Sequence, residues 1–201
     1  MAVELGIDVE TLRSEIRKTY ARVSDEPESG FIFPTGRAWA LDLDYPRDLL
    51  DRVPDRSADS FAGVANPFAL GALEPGEDVL DLGAGAGTDS LVAAQMVAPG
   101  GRVTGLDMTP EMVAKAQASA AEAGLGNVEF LSGDAESLPF EDERFDVVIS
   151  NGVIDLVPDK DAVFSEVFRV LRPGGRIQIA DVTIQNPVSE EGRRNIDLWT
   201  G

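Results

Sequence analysis

The 201-residue sequence contains no cysteine and no histidine. Disulfides, thiolate nucleophiles, zinc sites built on Cys or His, and imidazole bases are therefore excluded, and no metal site is read from it. Any chemistry must run on carboxylates, Tyr, Ser/Thr, Lys/Arg or a bound cofactor. Cations are scarce as well: Lys18, Lys115 and Lys160 are the only lysines, and 17 Lys plus Arg face 36 Asp plus Glu, a net charge of −19. Such a field repels phosphate, which argues against nucleic acid and acidic membranes as partners. It reads as a highly solvated acidic surface of the kind found in salt-adapted cytoplasms, rather than as a docking face for a basic partner. Long apolar runs are also missing, and nothing approaches the roughly 20 residues of a membrane span. The N-terminus, MAVELGIDVE, is acidic where a secretory signal would be basic and then apolar, which points to a cytoplasmic location.

What is present suits a globular domain, with 43% hydrophobic and 26% charged residues. In residues 8–23, Val9, Leu12, Ile16, Tyr20 and Val23 recur three or four apart, the spacing of an amphipathic helix. Residues 24–60 are rich in Pro, Gly, Asp and Arg with scattered aromatics, and are expected to form a loop-rich cap with short helical pieces. Asn66-Pro67 reads as the cap and first turn of a short helix that stops before Pro75. Strand-like runs follow at 78–82, 102–107, 127–133, 145–151 and 176–182, separated by helical segments near 88–97, 110–123 and 159–171. Thr109 is expected to cap the second of these and Gly124 to end it, while Pro173-Gly174-Gly175 stops the third before the next strand. Alternation of this kind implies an α/β fold: a Rossmann-like, doubly wound parallel sheet with helices on both faces. Residues 1–74 form an N-terminal helical and loop-rich cap in this reading, and residues 75–201 the ligand-binding domain.

The stretch VLDLGAGAGTDS at 79–90 leaves the first strand through Gly83, Gly85 and Gly87, which let the backbone turn tightly and approach a ligand closely. Asp107, twenty residues after Gly87, ends the second strand, where a carboxylate can accept from both hydroxyls of a ribose. A dinucleotide fingerprint would require G-x-G-x-x-G and a pyrophosphate on the following helix. The spacing here is G-x-G-x-G, and Asp89 puts a negative charge where the pyrophosphate would lie. Asp89 and Asp81 suit a cationic ligand better, which makes an NAD-dependent oxidoreductase the weaker reading.

Five stretches in order (DLGAGAG, GLDMTPEM, GDAESLPF, FDVVISNGVIDL and VLRPGGRIQIAD) make residues 75–182 resemble the class I S-adenosylmethionine-dependent methyltransferases. The resemblance implies S-adenosylmethionine as cofactor. Asp81 and the glycine turn would then face its methionine part, Asp107 its ribose and Met108 its adenine. Asp134 and Ala135 would read the adenine edge, and Asn151 would close the site.

Transfer from a sulfonium is an in-line displacement that rests largely on positioning, so a base is required only for acceptors that lose a proton early. The candidates for that base are Asp155, Tyr20 and Tyr45. More narrowly, LDYPRDLL, the run from ANPFALGAL to the glycine turn, ISNGVIDLVPDKDAVFSEVFRVLRPGGR and RRNIDLWTG resemble arsenite methyltransferases. That family holds trivalent arsenic on cysteine thiolates. Here the loop position after the fourth strand is Gly152, and the other cysteine region reads SFAGVANP. A soft metalloid needs soft ligands, so the likeness implies common ancestry with a changed or missing acceptor. Class I methyltransferases usually add two strands after the fifth, so a second chain, a further C-terminal segment or the N-terminal 75 residues are expected to cover the sheet edge. The expected function is methyl transfer to a small-molecule acceptor, the alternative being a noncatalytic or truncated cofactor-binding module.

Overall fold

The computed structural model describes residues 8–186 together with 188, 189, 195 and 199. Five strands, β1 (Asp78–Leu82), β2 (Arg102–Asp107), β3 (Val128–Ser132), β4 (Phe145–Asn151) and β5 (Leu171–Ala180), form one sheet in the order β3-β2-β1-β4-β5. Every pairing is parallel. Strand order reverses between β1 and β4, so a crevice opens beyond the carboxyl ends of these two strands.

The central strands read as near-continuous apolar runs because both of their faces are covered. On one side, Val79 and Val147 pack with Val92 of α5 (Thr88–Met96) and with Val113 and Ala116 of α6 (Pro110–Ala123). On the other, Leu80, Leu82 and Val148 pack with Val163, Val167 and Val170 of α7 (Lys160–Val170). The doubly wound architecture expected from the alternation is the one found.

Three local expectations are corrected. Thr109 occupies the cap position of α6 but makes no side-chain cap bond; the Asp107 carboxylate, two residues earlier, accepts the Thr109 N–H at 2.8 Å instead. The segment Pro173-Gly174-Gly175 does not separate α7 from the last strand. β5 begins at Leu171, directly after the helix, and the Pro-Gly-Gly is absorbed as an irregularity: Phe145 pairs with Leu171 while Val147 pairs with Arg176. The piece after Asn66 is a single 3-10 turn, Pro67–Leu70, closed by Gly71 well short of Pro75; the Asn66 side chain accepts the Phe68 N–H at 3.0 Å as expected.

Before the sheet, α1 (Val9–Asp25) buries Leu12, Ile16 and Val23, and Asp8 caps it by accepting the Thr11 N–H at 2.9 Å. Three short helices follow, α2 (Arg37–Asp42), α3 (Arg47–Leu50) and α4 (Asp55–Ala58). Tyr45, Leu50, Val53, Phe61 and Phe68 share a core with Val79, Val147 and Ile149, so this segment packs directly on the sheet. β5 is an edge strand, with Ile177 and the outer α7 residue Phe168 47% and 83% exposed. The stretch RRNIDLWTG lies outside the described residues except for Asn195 and Trp199. Among the described residues no helix is long and apolar enough to cross a membrane.

Candidate functional site

The glycine turn links β1 to α5 at the reversal point of the sheet. Gly83, Gly85 and Gly87 all have positive φ, and Gly85 at +52° faces open space, with nothing within 4 Å of where a Cβ would stand. Asp107 fastens this turn to the end of β2: its Oδ2 accepts the Gly85 N–H at 2.8 Å, and its Oδ1 accepts from Thr109. The carboxylate keeps acceptor capacity beyond these two backbone bonds, which a vicinal diol can use. Burial pushes this carboxyl up, and the two backbone donors and the Thr109 hydroxyl oppose that shift.

Together the turn, the strand ends and α1 line one cleft. Of the residues singled out from the sequence, Gly83, Gly85, Asp107, Met108, Asp134, Ala135, Asn151 and Tyr20 line it. Asp81, Gly87, Tyr45 and Asp155 do not. Asp81 lies beneath the turn at 2% exposure and accepts a hydrogen bond from the Ser90 hydroxyl. Burial, reinforced by the nearby Asp89 carboxylate, pushes Asp81 well above the usual carboxylate range. Gly87 precedes α5, with its Cα turned toward Phe130 and Ala116 rather than the cleft.

Tyr45 lies behind the wall and donates to Asp89. Asn151 joins the same cluster: Nδ2 donates to Asp89 Oδ2 at 3.0 Å and to the Ala65 carbonyl at 2.8 Å, while Oδ1 accepts the Val64 N–H at 2.8 Å. Gly63 is what admits this amide, since a Cβ there would stand 2.3 Å from Asn151 Nδ2. Burial pushes Asp89 up to about 6 against the hydrogen bonds from Tyr45 and Asn151. Burial and the Asp89 charge push the Tyr45 phenol well up, and burial with the charges of Asp155, Asp107 and Asp181 does the same to Tyr20. Neither phenol is poised to ionise near neutral pH.

Asp155 stands on the turn Ile154–Leu156, behind the cleft wall formed by Val153 and Leu156. Burial and the neighbouring Asp181 carboxyl raise it to about 7, against the Lys160 charge. Asp181 Oδ2 accepts the Ile154 N–H at 2.9 Å, and Lys160 caps the turn by donating to the Ile154 and Asp155 carbonyls at 2.7 and 2.9 Å.

Gly152 and the SFAGVANP segment, far apart in sequence, are neighbours in space: a Cβ on Gly152 would meet Val64 Cγ1 at 3.1 Å. The two regions where the arsenite family carries cysteine thus meet at the cleft, and both are apolar here. Sequence reading missed Arg13, Phe61 and Glu136, which also line the cleft. Arg13 and Glu136 stand 123 residues apart, and no local pattern connects them.

The glycine cradle, the carboxylate at the end of β2 and the crevice at the reversal point define an α/β domain built for an adenosine ligand. Residues 73–199 match the family of methyltransferase domains, and the chain belongs to that family. It is 48% identical over 159 residues to an arsenite methyltransferase of Halobacterium salinarum, covering 79% of this chain and 40% of that protein. It is 44% identical over 162 residues to an arsenite methyltransferase of Aquipseudomonas alcaligenes, covering 76% of this chain and 46% of the relative. The chain therefore spans less than half the length of these curated relatives. Among solved structures, an arsenic(III) S-adenosylmethionine methyltransferase of Chlamydomonas reinhardtii superposes with a TM-score of 0.67 at 42% identity, over 73% of this chain and 51% of the other.

Proposed function

We propose that this chain is an S-adenosylmethionine-dependent methyltransferase domain acting on a small-molecule acceptor. The observation that carries the reading is Asp107, held by Gly85 and Thr109 with acceptor capacity left for a ribose diol, beside a Gly85 cradle that a side chain would fill. When bound, S-adenosylmethionine supplies an electrophilic methyl group on a sulfonium. The chain contributes position and environment. Asp107 would hold the ribose, Met108 would lie against the adenine, and Asp134 and Ala135 would read its edge. Asp89, buried and hydrogen-bonded, presents negative charge toward the cationic end of the ligand. Tyr20, Phe61, Val153 and Leu156 make the wall against which an acceptor is held and from which water is excluded.

The relatives' names point to arsenite, but these 201 residues contain no thiolate to hold a soft metalloid. The acceptor proposed here is a small molecule bound without protein thiolates. Because Asp155 stands behind the wall, the favoured acceptor nucleophile is one that needs no early proton removal. The missing thiolates also support a second reading, a cofactor-binding module without turnover.

Titration calorimetry with S-adenosylmethionine, S-adenosylhomocysteine and NAD tests the cofactor. Micromolar binding of the two adenosyl-sulfur compounds, absence of NAD binding and loss of binding in Asp107→Ala are expected. No binding by folded wild-type protein would end the proposal. Release of S-adenosylhomocysteine in an acceptor screen separates the enzyme from the module.

A further inference from the structure

Three segments meet at one side of the cleft mouth: α1, the loop after β3, and the loop between β4 and α7. A single carboxylate joins them. Glu136 Oε2 accepts from the Arg13 guanidinium, and Glu136 Oε1 accepts the Asp159 N–H at 2.9 Å. Asp159 is itself the cap of α7, its Oδ1 accepting the Ala162 N–H at 3.0 Å. The guanidinium nitrogen that binds Glu136 also lies 3.4 Å from Asp134 Oδ2, and Asp134 Oδ1 accepts the Glu136 N–H at 2.9 Å. The Arg13 and Glu136 side chains are 24% and 12% exposed, so water screens the pair only in part.

Arg13 is the one cation among the described residues lining the cleft, and it sits against Asp134 and Glu136. Without it, Asp134 and Glu136 become adjacent uncompensated carboxylates that repel each other and the acidic cleft. The far end of α1 has a separate anchor: Lys115 Nζ donates to the Ser24 carbonyl and, at 2.8 Å, to Ser60 Oγ. Leu12, Ile16 and Val23 seat the helix in apolar contact and do not depend on Arg13. The helix is thus fixed at its C-terminal end by Lys115 and fastened across the cleft at its N-terminal end by the ion pair.

We infer that Arg13 and Glu136 are positioning residues that latch α1 over the adenosine end of the bound cofactor, so that cofactor release requires this pair to part. The inference rests on the cofactor reading above. Glu136 places Asp134 for the adenine edge through its N–H and closes the mouth through its carboxylate. Loss of the latch therefore acts on cofactor residence time more than on association, as truncating one partner of a shielded ion pair acts on dissociation.

The test is the dissociation rate of S-adenosylhomocysteine from wild type, Arg13→Met, Arg13→Lys, Glu136→Gln and the Arg13→Met/Glu136→Gln double variant, with hydrogen exchange of the α1 amides followed in parallel. Dissociation roughly tenfold faster in Arg13→Met is expected, with partial recovery in Arg13→Lys and no further loss in the double variant. Faster exchange in the N-terminal half of α1 should accompany it. Raising NaCl from about 0.1 to 1 M should speed release from wild type and leave Arg13→Met unchanged, a response that loss of packing alone would not produce. Wild-type binding with a release rate within about twofold in Arg13→Met would overturn the latch and leave the cofactor reading intact. Absence of binding by wild type would remove both.

Discussion

Asn151, the last residue of β4, donates to Asp89 in the first turn of α5 at 3.0 Å, and so ties together the two strand ends that form the crevice. Through the same amide it holds the Val64 and Ala65 backbone. Replacement by Leu would leave these backbone groups and the Asp89 carboxylate without their partner inside the fold. Each such loss costs about 1–3 kcal/mol, so Asn151→Leu is expected to lower stability by about 2–4 kcal/mol. Urea denaturation reads this as a lower midpoint at unchanged slope. A midpoint equal to wild type would mean the amide is not holding the crevice.

Among the carboxyls that burial raises in this region, Asp89 stands at about 6 and Asp155 at about 7. Both bind a proton more tightly in the folded than in the unfolded chain. Their contribution to stability is therefore complete below the ordinary carboxylate value of 3.8 and is lost as pH rises through about 6 for Asp89 and about 7 for Asp155. Wild-type stability is expected to decline between about pH 4 and 7 and to level off above that. Asp155→Asn removes the ionisation beside Asp181, so its decline above pH 6 should be shallower than that of wild type. Superimposable pH profiles would refute the assignment.

The sheet was legible because its signals are local. Val79, Leu80, Val147 and Val148 sit in short apolar runs bounded by turn residues, and Gly124 ends α6 at φ +67° as the sequence suggested. The last strand was read short because Pro173-Gly174-Gly175 looks like a connection, whereas β5 absorbs it as an irregularity against β4. The cap at Thr109 was misread because Asp107, noted only as a ligand residue, also accepts the backbone there. The least legible parts are the long-range pairs. Tyr45 meets Asp89 across 44 residues and Arg13 meets Glu136 across 123. Neither partner carries a periodicity that would betray the other. Asp81 illustrates the converse: its motif was evident, but its burial beneath the turn against Ser90 depends on how α5 packs.

Gly85 separates ligand binding from stability. Its φ of +52° is tolerated by other residues at modest strain, and an added Cβ would enter open space in the cleft. Gly85→Ala is expected to cost about 1 kcal/mol in stability. The same methyl group would occupy the cradle proposed for the cofactor, so S-adenosylhomocysteine affinity should fall about tenfold or more. Thermal unfolding and calorimetric titration on the same preparation check both halves. Unchanged affinity would place the ligand elsewhere.

The net charge of −19 sets one effect against another. Self-repulsion among surface carboxylates weakens as salt shortens the Debye length from about 10 Å at 0.1 M to about 3 Å at 1 M, which stabilises the folded chain. The same screening weakens ion pairs, among them Arg172, which joins β5 to Asp78 of β1 at 2.8 Å and Asp146 of β4 at 2.6 Å. These pairs are partly shielded and few beside the 19 unbalanced charges, so repulsion dominates. The unfolding midpoint of the wild type is therefore expected to rise as NaCl increases from about 0.1 to 1 M. Arg172→Met should be destabilised most at low salt, because it leaves Asp78 and Asp146 facing each other unneutralised, and should approach wild type as salt increases. A wild-type midpoint that falls with salt would show that the ion pairs, rather than the excess negative charge, govern the electrostatic stability of this fold.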